Sequence, residues 1–263
     1  MGDLTRLRNS FRRAASLAVA ILAAASPALA GSPIDPDADK ILAAMSSNLG
    51  SKTALSVDYD ADHEVLDFAG QKLQYSASGS IALDRSKGFH LTRKGPFAEA
   101  EMTFDGKTIS LYSKSLNVYA QLESPGGKIE DAAEEFRAST GLDAPGADLL
   151  GSNAYAVLTE GATAGTVVGS GYVGGIACDH LAFRTDMVDW QIWISKGDNP
   201  LPMKYVITTK WVTGAPEYTL RLNNWKTGAV DTASFTFAAP ADARKVDEIH
   251  ADVTGEISLE AGE

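Results

Sequence analysis

Residues 99–111 read EAEMTFDGKTISL. Ala100, Met102 and Phe104 alternate with Glu99, Glu101 and Thr103, and a period of two predicts a strand with one apolar face and one polar face. Asp105-Gly106 is a two-residue turn of the kind that closes hairpins, and Ile109 and Leu111 begin the returning strand. An antiparallel hairpin is therefore written into this stretch. The same alternation continues on either side of it. Upstream, Phe89 and Leu91 alternate with His90 and Thr92. Leu73, Tyr75 and Ala77 lead on to Ile81 and Leu83, and Leu55, Val57 and Tyr59 alternate with Ser56, Asp58 and Asp60. Downstream, Leu116 to Leu122 predicts a further strand that ends at Pro125-Gly126-Gly127.

Helical spacing appears three times. Asp35-Pro36-Asp37 starts a segment with Ile41, Leu42, Met45 and Leu49 on one face and Gly50 as its stop. Residues 128–141 place Ile129, Ala132, Ala133 and Phe136 on one face, and Pro145 to Leu158 predicts a second short helix with Leu149, Leu150 and Ala154. Strands then resume. Val167 and Val168 precede a glycine-rich turn, Gly169-Ser170-Gly171, and Gly174-Gly175 precedes a long strand through Leu181 and Phe183. Trp190, Ile192 and Ile194 alternate with Gln191, Trp193 and Ser195. Tyr205, Ile207 and Trp211 follow, then Tyr218, Leu220 and Leu222, and Phe235 and Phe237 close the set. Alternating strands with one apolar face suit an antiparallel sheet covered on one side. The expected fold is α+β: a strongly curved antiparallel sheet, a half-barrel, with helices over its concave apolar face. It occupies residues 31–245 as one domain.

The ends differ from this body. Arg6, Arg8, Arg12 and Arg13 precede an apolar stretch from Leu17 to Ala25, and Ala28-Leu29-Ala30 is a small-residue cleavage site. That order predicts a signal peptide over residues 1–30, cleaved after Ala30, and a periplasmic destination. The apolar stretch falls well short of the roughly 20 residues a transmembrane helix needs, so no transmembrane anchor is expected. Residues 246–263 are acidic, lack a period and are expected as a flexible tail.

Charge narrows the partners. The chain carries 23 basic and 34 acidic residues, net −11. Without residues 1–30, which hold four arginines and Asp3, 19 and 33 remain, net −14. Such a surface repels phosphate backbones, which argues against nucleic acid. The single cysteine, Cys178, excludes an intrachain disulfide.

No arrangement of residues predicts catalysis, a metal or a cofactor. Cys178 and His180 share a strand face, without further ligands at zinc spacing. Cys178 is therefore expected to be chemically dispensable. Glu99 and Glu101, and likewise Asp58 and Asp60, are same-face neighbours on strands, where a carboxylate spacing arises without a catalytic reason. Gly169-Ser170-Gly171 is not a G-x-S-x-G elbow. The four tryptophans, Trp190, Trp193, Trp211 and Trp225, all lie in the second strand set. For Trp190, Tyr205 and Trp211 two readings stay open: packing in a core, or lining for an apolar ligand.

Several stretches carry a resemblance: YSKSLNVYA at 112–120, ADLL at 147–150, CDHLAFR at 178–184, DWQIWI at 189–194, and Pro200-Leu201-Pro202. In these the chain resembles a family of uncharacterised predicted periplasmic proteins, a domain of unknown function. Its strand and helix order is similar to the LolA-like lipoprotein-carrier superfamily. That resemblance implies a half-barrel with helices closing an apolar cavity, and a binder or carrier of lipid-like ligands in the cell envelope. No residue here is assigned to the arginine that such carriers hold inside the cavity. The alternatives are an envelope sensor or interaction module that uses the same cleft for a protein partner, and an enzyme with an unrecognised site. The expected ligand-binding surface comprises Met102, Leu111, Phe183, Trp190, Ile192, Tyr205, Ile207 and Trp211, covered but not filled by helices at 36–49 and 128–158.

Overall fold

The computed structural model describes residues 32–140, 146–251 and 257–258. The signal peptide expected over 1–30 and its cleavage site lie outside these residues, as do 252–256 and 259–263 of the expected tail. Helix α1 (Pro36–Gly50) starts where expected. The Asp35 carboxylate accepts the Asp37 N–H at 2.8 Å, and Pro36 occupies the first turn, where no N–H is needed. Its Ala38, Leu42, Met45 and Leu49 are completely buried. At roughly 1.5–3 kcal/mol for each large apolar side chain, that face outweighs anything helix propensity supplies.

Six strands follow as a meander: β1 (Ala54–Leu66), β2 (Lys72–Asp84), β3 (Gly88–Lys94), β4 (Glu99–Phe104), β5 (Thr108–Ser113) and β6 (Val118–Glu123). After helix α2 (Ile129–Thr140) come a 3-10 turn at Ala147–Leu149 and helix α3 (Ala154–Thr159). A second meander comprises β7 (Ala164–Val173), β8 (Ile176–Arg184), β9 (Val188–Ser195), β10 (Pro202–Thr209) and β11 (Glu217–Thr227). The two meanders join where β1 pairs antiparallel with β11, placing Asp60 opposite Arg221 and Ala61 opposite Leu220. A short β12 (Arg244–Lys245) pairs in parallel with β6. The result is an open, curved sheet of twelve strands, antiparallel throughout apart from β12, in the order β12-β6-β5-β4-β3-β2-β1-β11-β10-β9-β8-β7.

The register carries the predicted alternation across the sheet. One face bears Leu55, Val57, Tyr59 and Ala61, with Leu83, Ile81, Gly79 and Ala77 opposite them on β2. The other face of the same strands is polar and cross-bonded. The Ser76 and Ser78 hydroxyls each donate to a carboxylate at 2.6 Å, of Asp62 and Asp60 respectively, and Asn224 donates to Asp58 at 2.9 Å. The paired aspartates singled out in the sequence thus hold neighbouring strands together.

Several expectations need correction. The helix expected from Pro145 to Leu158 is two short pieces, because Asn153 caps a new start by accepting the Ala156 N–H at 3.3 Å. Gly169-Ser170-Gly171 is not a turn. It lies inside β7, where the register slips between Val167 and Gly169, and the hairpin turns at Gly174-Gly175. Phe235 and Phe237 do not close the sheet as a strand. Asp231 captures the chain by accepting the Ala233 N–H at 3.0 Å and forms a 3-10 turn, Thr232–Phe235. From there the chain crosses the polar face as a strap. Phe235 is buried, and Phe237 sits 5.8 and 5.1 Å from the rings of Tyr112 and Tyr119. The strap ends in β12, and beyond it Ile249 is buried and β13 (His250–Ala251) pairs with β14 (Ile257–Ser258).

Candidate functional site

The apolar face has two halves with different covers. Over the second meander, α1, the 3-10 turn at 147–149 and α3 form one cluster with Leu181, Phe183, Trp190, Ile192, Ile194, Tyr205, Leu220 and Leu222. Ile192 and Leu181 are fully excluded from solvent. Phe183 and Trp190 stack with ring centroids 4.1 Å apart, and Tyr205 meets Trp190 edge-on at 5.8 Å. Gly165 makes room for this stack, since a Cβ there would lie 2.6 Å from the Phe183 ring. Four of the expected lining residues, Phe183, Trp190, Ile192 and Tyr205, are therefore buried within this cluster. Burial raises the Tyr205 hydroxyl pKa, and the nearby Asp148 carboxylate adds to the rise.

Arg85 locks the covers of this half in place. Its guanidinium donates to the carbonyls of Lys52 at 3.0 Å, Leu150 at 2.8 Å and Leu49 at 3.3 Å. One side chain thus satisfies the end of α1 and the end of the 3-10 turn, where backbone acceptors have no helical partner.

The first meander is covered more thinly. A row of paired residues, Ala120, Leu111, Met102, Leu91 and Ile81, runs across β6 to β2 and ends at Val57 on β1. All but Val57 are only half-buried. The neighbouring row, Leu122, Ile109, Phe104 and Phe89, meets α2. Among the described residues, α2 reaches that cluster through Ile129, Ala132 and Phe136. Its other face carries Glu130, Asp131, Glu134 and Glu135. Met102 and Leu111 of the expected site are in this row, in direct register with each other. Ile207 is half-buried further along the face, opposite Tyr218.

A further row of mixed size runs along the other side. Ser113, Ala100, Arg93, Gly79 and Tyr59 follow one another in register from β5 to β1. A Cβ at Gly79 would lie 1.9 Å from the Thr92 carbonyl oxygen and 2.7 Å from the Tyr59 ring. Glycine is needed there because the Tyr59 hydroxyl reaches across β2 to donate to that carbonyl at 2.9 Å. The Ser80 N–H turns instead to the Thr92 hydroxyl at 3.0 Å. Burial pushes the Tyr59 hydroxyl up to about 12, against the pull of Arg93. Arg93 is a residue that the sequence reading passed over. Its place follows from the period of two, since Phe89, Leu91 and Arg93 share a face. A Cβ at Gly95 would lie 3.1 Å from its guanidinium, and its charge also reaches the buried Tyr218 hydroxyl.

Trp211 needs correction. Strand β10 ends at Thr209, so the alternation from Tyr205 stops before it, and Trp211 stands 68% exposed in the following turn. The Cys178 and His180 pair is on one strand face as expected, but the two do not bond. The buried Cys178 thiol donates to the Ile176 carbonyl at 3.4 Å, and burial raises its pKa. His180 stacks on Trp193 at 3.9 Å, and its Nε2 lies 2.9 Å from the side-chain Oε1 of Gln191. Glu99 and Glu101 both pair with Lys114. Among the described residues no cluster of His, Cys, Asp and Glu is arranged for a metal ion. No described helix is long and apolar enough to cross a membrane. Two shallow depressions, of about 460 and 250 Å³, lie around Ala54, Asp84 and Thr227 to Asp231, away from the expected lining residues.

Three solved structures are similar to this chain at low identity. An uncharacterized conserved protein from Thermus thermophilus is 12% identical, with a TM-score of 0.49, over 81% of this chain and 99% of that one. LprF from Mycobacterium bovis is 16% identical, with a TM-score of 0.44, over 80% and 98%. The LolA superfamily protein NE2245 from Nitrosomonas europaea is 10% identical, with a TM-score of 0.35, over 76% and 97%. No curated protein matches the chain. Residues 38–248, which span both meanders and the helices between them, match the family model described as predicted periplasmic protein (DUF2092), and the chain belongs to that family.

Proposed function

We propose that this protein is a periplasmic, non-catalytic binder or carrier of a lipid-like ligand, and that the ligand lies on the apolar face of the first meander beneath α2. One observation carries the reading. The row Leu91, Met102, Leu111 and Ala120 is apolar across four strands yet only half-buried, under a helix that reaches the sheet through a few apolar side chains. Apolar walls with few polar groups are what a lipid-like ligand requires. Met102 and Leu111 would touch it, with Ile207 at the far end of the same face. Phe183, Trp190, Ile192 and Tyr205, on the same face but packed beneath α1 and α3, would hold those helices rather than touch the ligand. Arg93, on the same face in register with Gly79 and Ala100, would bring a cationic group near the polar end of an amphiphile.

Titration of the purified protein with a fluorescent fatty acid tests this, with Leu111→Asn and Met102→Asn as variants. Saturable binding that weakens at least tenfold in both, with the fold intact, is the expected result. Native mass spectrometry of the protein after lipid extraction identifies any carried ligand. A wild-type protein that takes up no apolar probe and carries no lipid overturns the reading. A protein partner cross-linked at Leu111 without lipid would replace it with the interaction-module alternative.

A further inference from the structure

The sheet has two edges, and they are finished differently. At one edge the strap lays β12 against β6 in parallel and puts Arg244 and Lys245 there. That is a protected edge, short and charged. The other edge is β7, ten residues long. Among the described residues its outer side is bonded only at Gly165, where the chain entering α1 exchanges Asp35 N–H to Gly165 O at 2.9 Å and Gly165 N–H to Pro33 O at 3.2 Å. Among the described residues the strand is open on that side from Thr166 to Val173. It also lacks every usual deterrent except a bulge. Gly161 to Cys178, a run of 18 residues, contains no charged side chain and no proline, in a chain that is 22% charged. Val168, Tyr172 and Ile176 on this hairpin are 54%, 78% and 44% exposed.

An open edge without charge is a template for another strand. The charge pattern selects which strand. Two copies of a chain with net charge −11 repel one another over most of their surface. They meet without like-charge contact along β7, the described strand that combines a free edge with a charge-free sequence. We propose that β7 pairs with β7 of a second copy of this chain, antiparallel about a two-fold axis, to give a dimer with one continuous sheet. A two-fold contact of this kind closes on itself and builds no filament. The pairing is short, so the association is concentration-dependent. It uses the edge farthest in sheet order from β6 and leaves the proposed ligand face of the first meander free.

Light scattering coupled to gel filtration of the exported protein, over a hundredfold range of concentration, tests the proposal. Val168→Lys and Ser170→Lys place a charge on the exposed edge, and Thr213→Lys makes the same change of charge elsewhere. The expected result is twice the single-chain mass at high concentration for the wild type and Thr213→Lys, and the single-chain mass for the two edge variants, all with the same urea midpoint at the lowest concentration, where every chain is single. A wild type that stays at the single-chain mass throughout overturns the proposal, and so do edge variants that keep the doubled mass.

Discussion

The two meanders obey the same strand code but differ in how their apolar faces are used. In β7 to β11 the centre of the face is covered, with Ile207 and Tyr218 half-buried at its margin. Ile192 and Leu181 are fully buried, a Phe183–Trp190–Tyr205 aromatic group fills the centre, and α1 contributes an entire buried flank. In β2 to β6 a row of equally apolar residues is left half-buried beneath α2. Hydrophobic alternation alone does not separate a core from a binding surface. The cover does, and in this protein the cover is set by which helix carries the longer apolar flank.

Four measurements probe that contrast. The largest effect is expected for Ile192→Asn, which puts an amide among fully buried apolar groups. It should destabilise the protein by about 2–5 kcal/mol in urea unfolding and leave the affinity of the folded fraction for a fatty-acid probe unchanged. A small loss of stability with a large loss of binding would reverse the roles given to the two halves. Arg85→Ala removes hydrogen bonds to three carbonyls at the helix ends, and a drop of about 2–3 kcal/mol is expected, with exchange protection lost first in α1 and the 147–149 turn. Leu111→Asn, on the half-buried row, should cost about 1 kcal/mol yet abolish probe binding. The smallest effect comes from pH. The hydrogen bond from Lys72, against some burial, holds Glu64 below its usual value of 4.5, and bonding by Ser86 holds Asp84 below 3.8. A depressed carboxylate stabilises the fold above its unfolded pKa and loses that contribution as pH falls through the folded one. Stability should therefore be flat above about pH 5 and decline below it, and Glu64→Gln should flatten part of the decline.

Much of this was legible in the sequence, because strands with one wet face advertise their period. EAEMTFDGKTISL became β4, its turn and the start of β5, and Asp35-Pro36 marked the first residue of α1. The errors share a cause, which is that alternation does not say where a strand stops. Trp211 continues the count from Tyr205 but stands past the end of β10. Phe235 and Phe237 alternate like strand residues, yet Asp231 bends the chain into a turn and sends them across the polar face. Arg93 had the right period and was passed over because an arginine on an apolar face runs against residue type. The split between core and open row was not legible at all. It depends on which parts of the sheet α1 and α2 reach, a matter of tertiary packing rather than local pattern.

The seam between β1 and β11 has a kinetic consequence. Each meander is made of neighbouring hairpins that zip locally, but the bond between Arg221 and Asp62 spans 159 residues. Closing so long a loop is entropically unfavourable and is rewarded only once both partners are in place. The first meander must therefore wait, with the β1 edge unsatisfied, until β11 arrives from the far end of the chain.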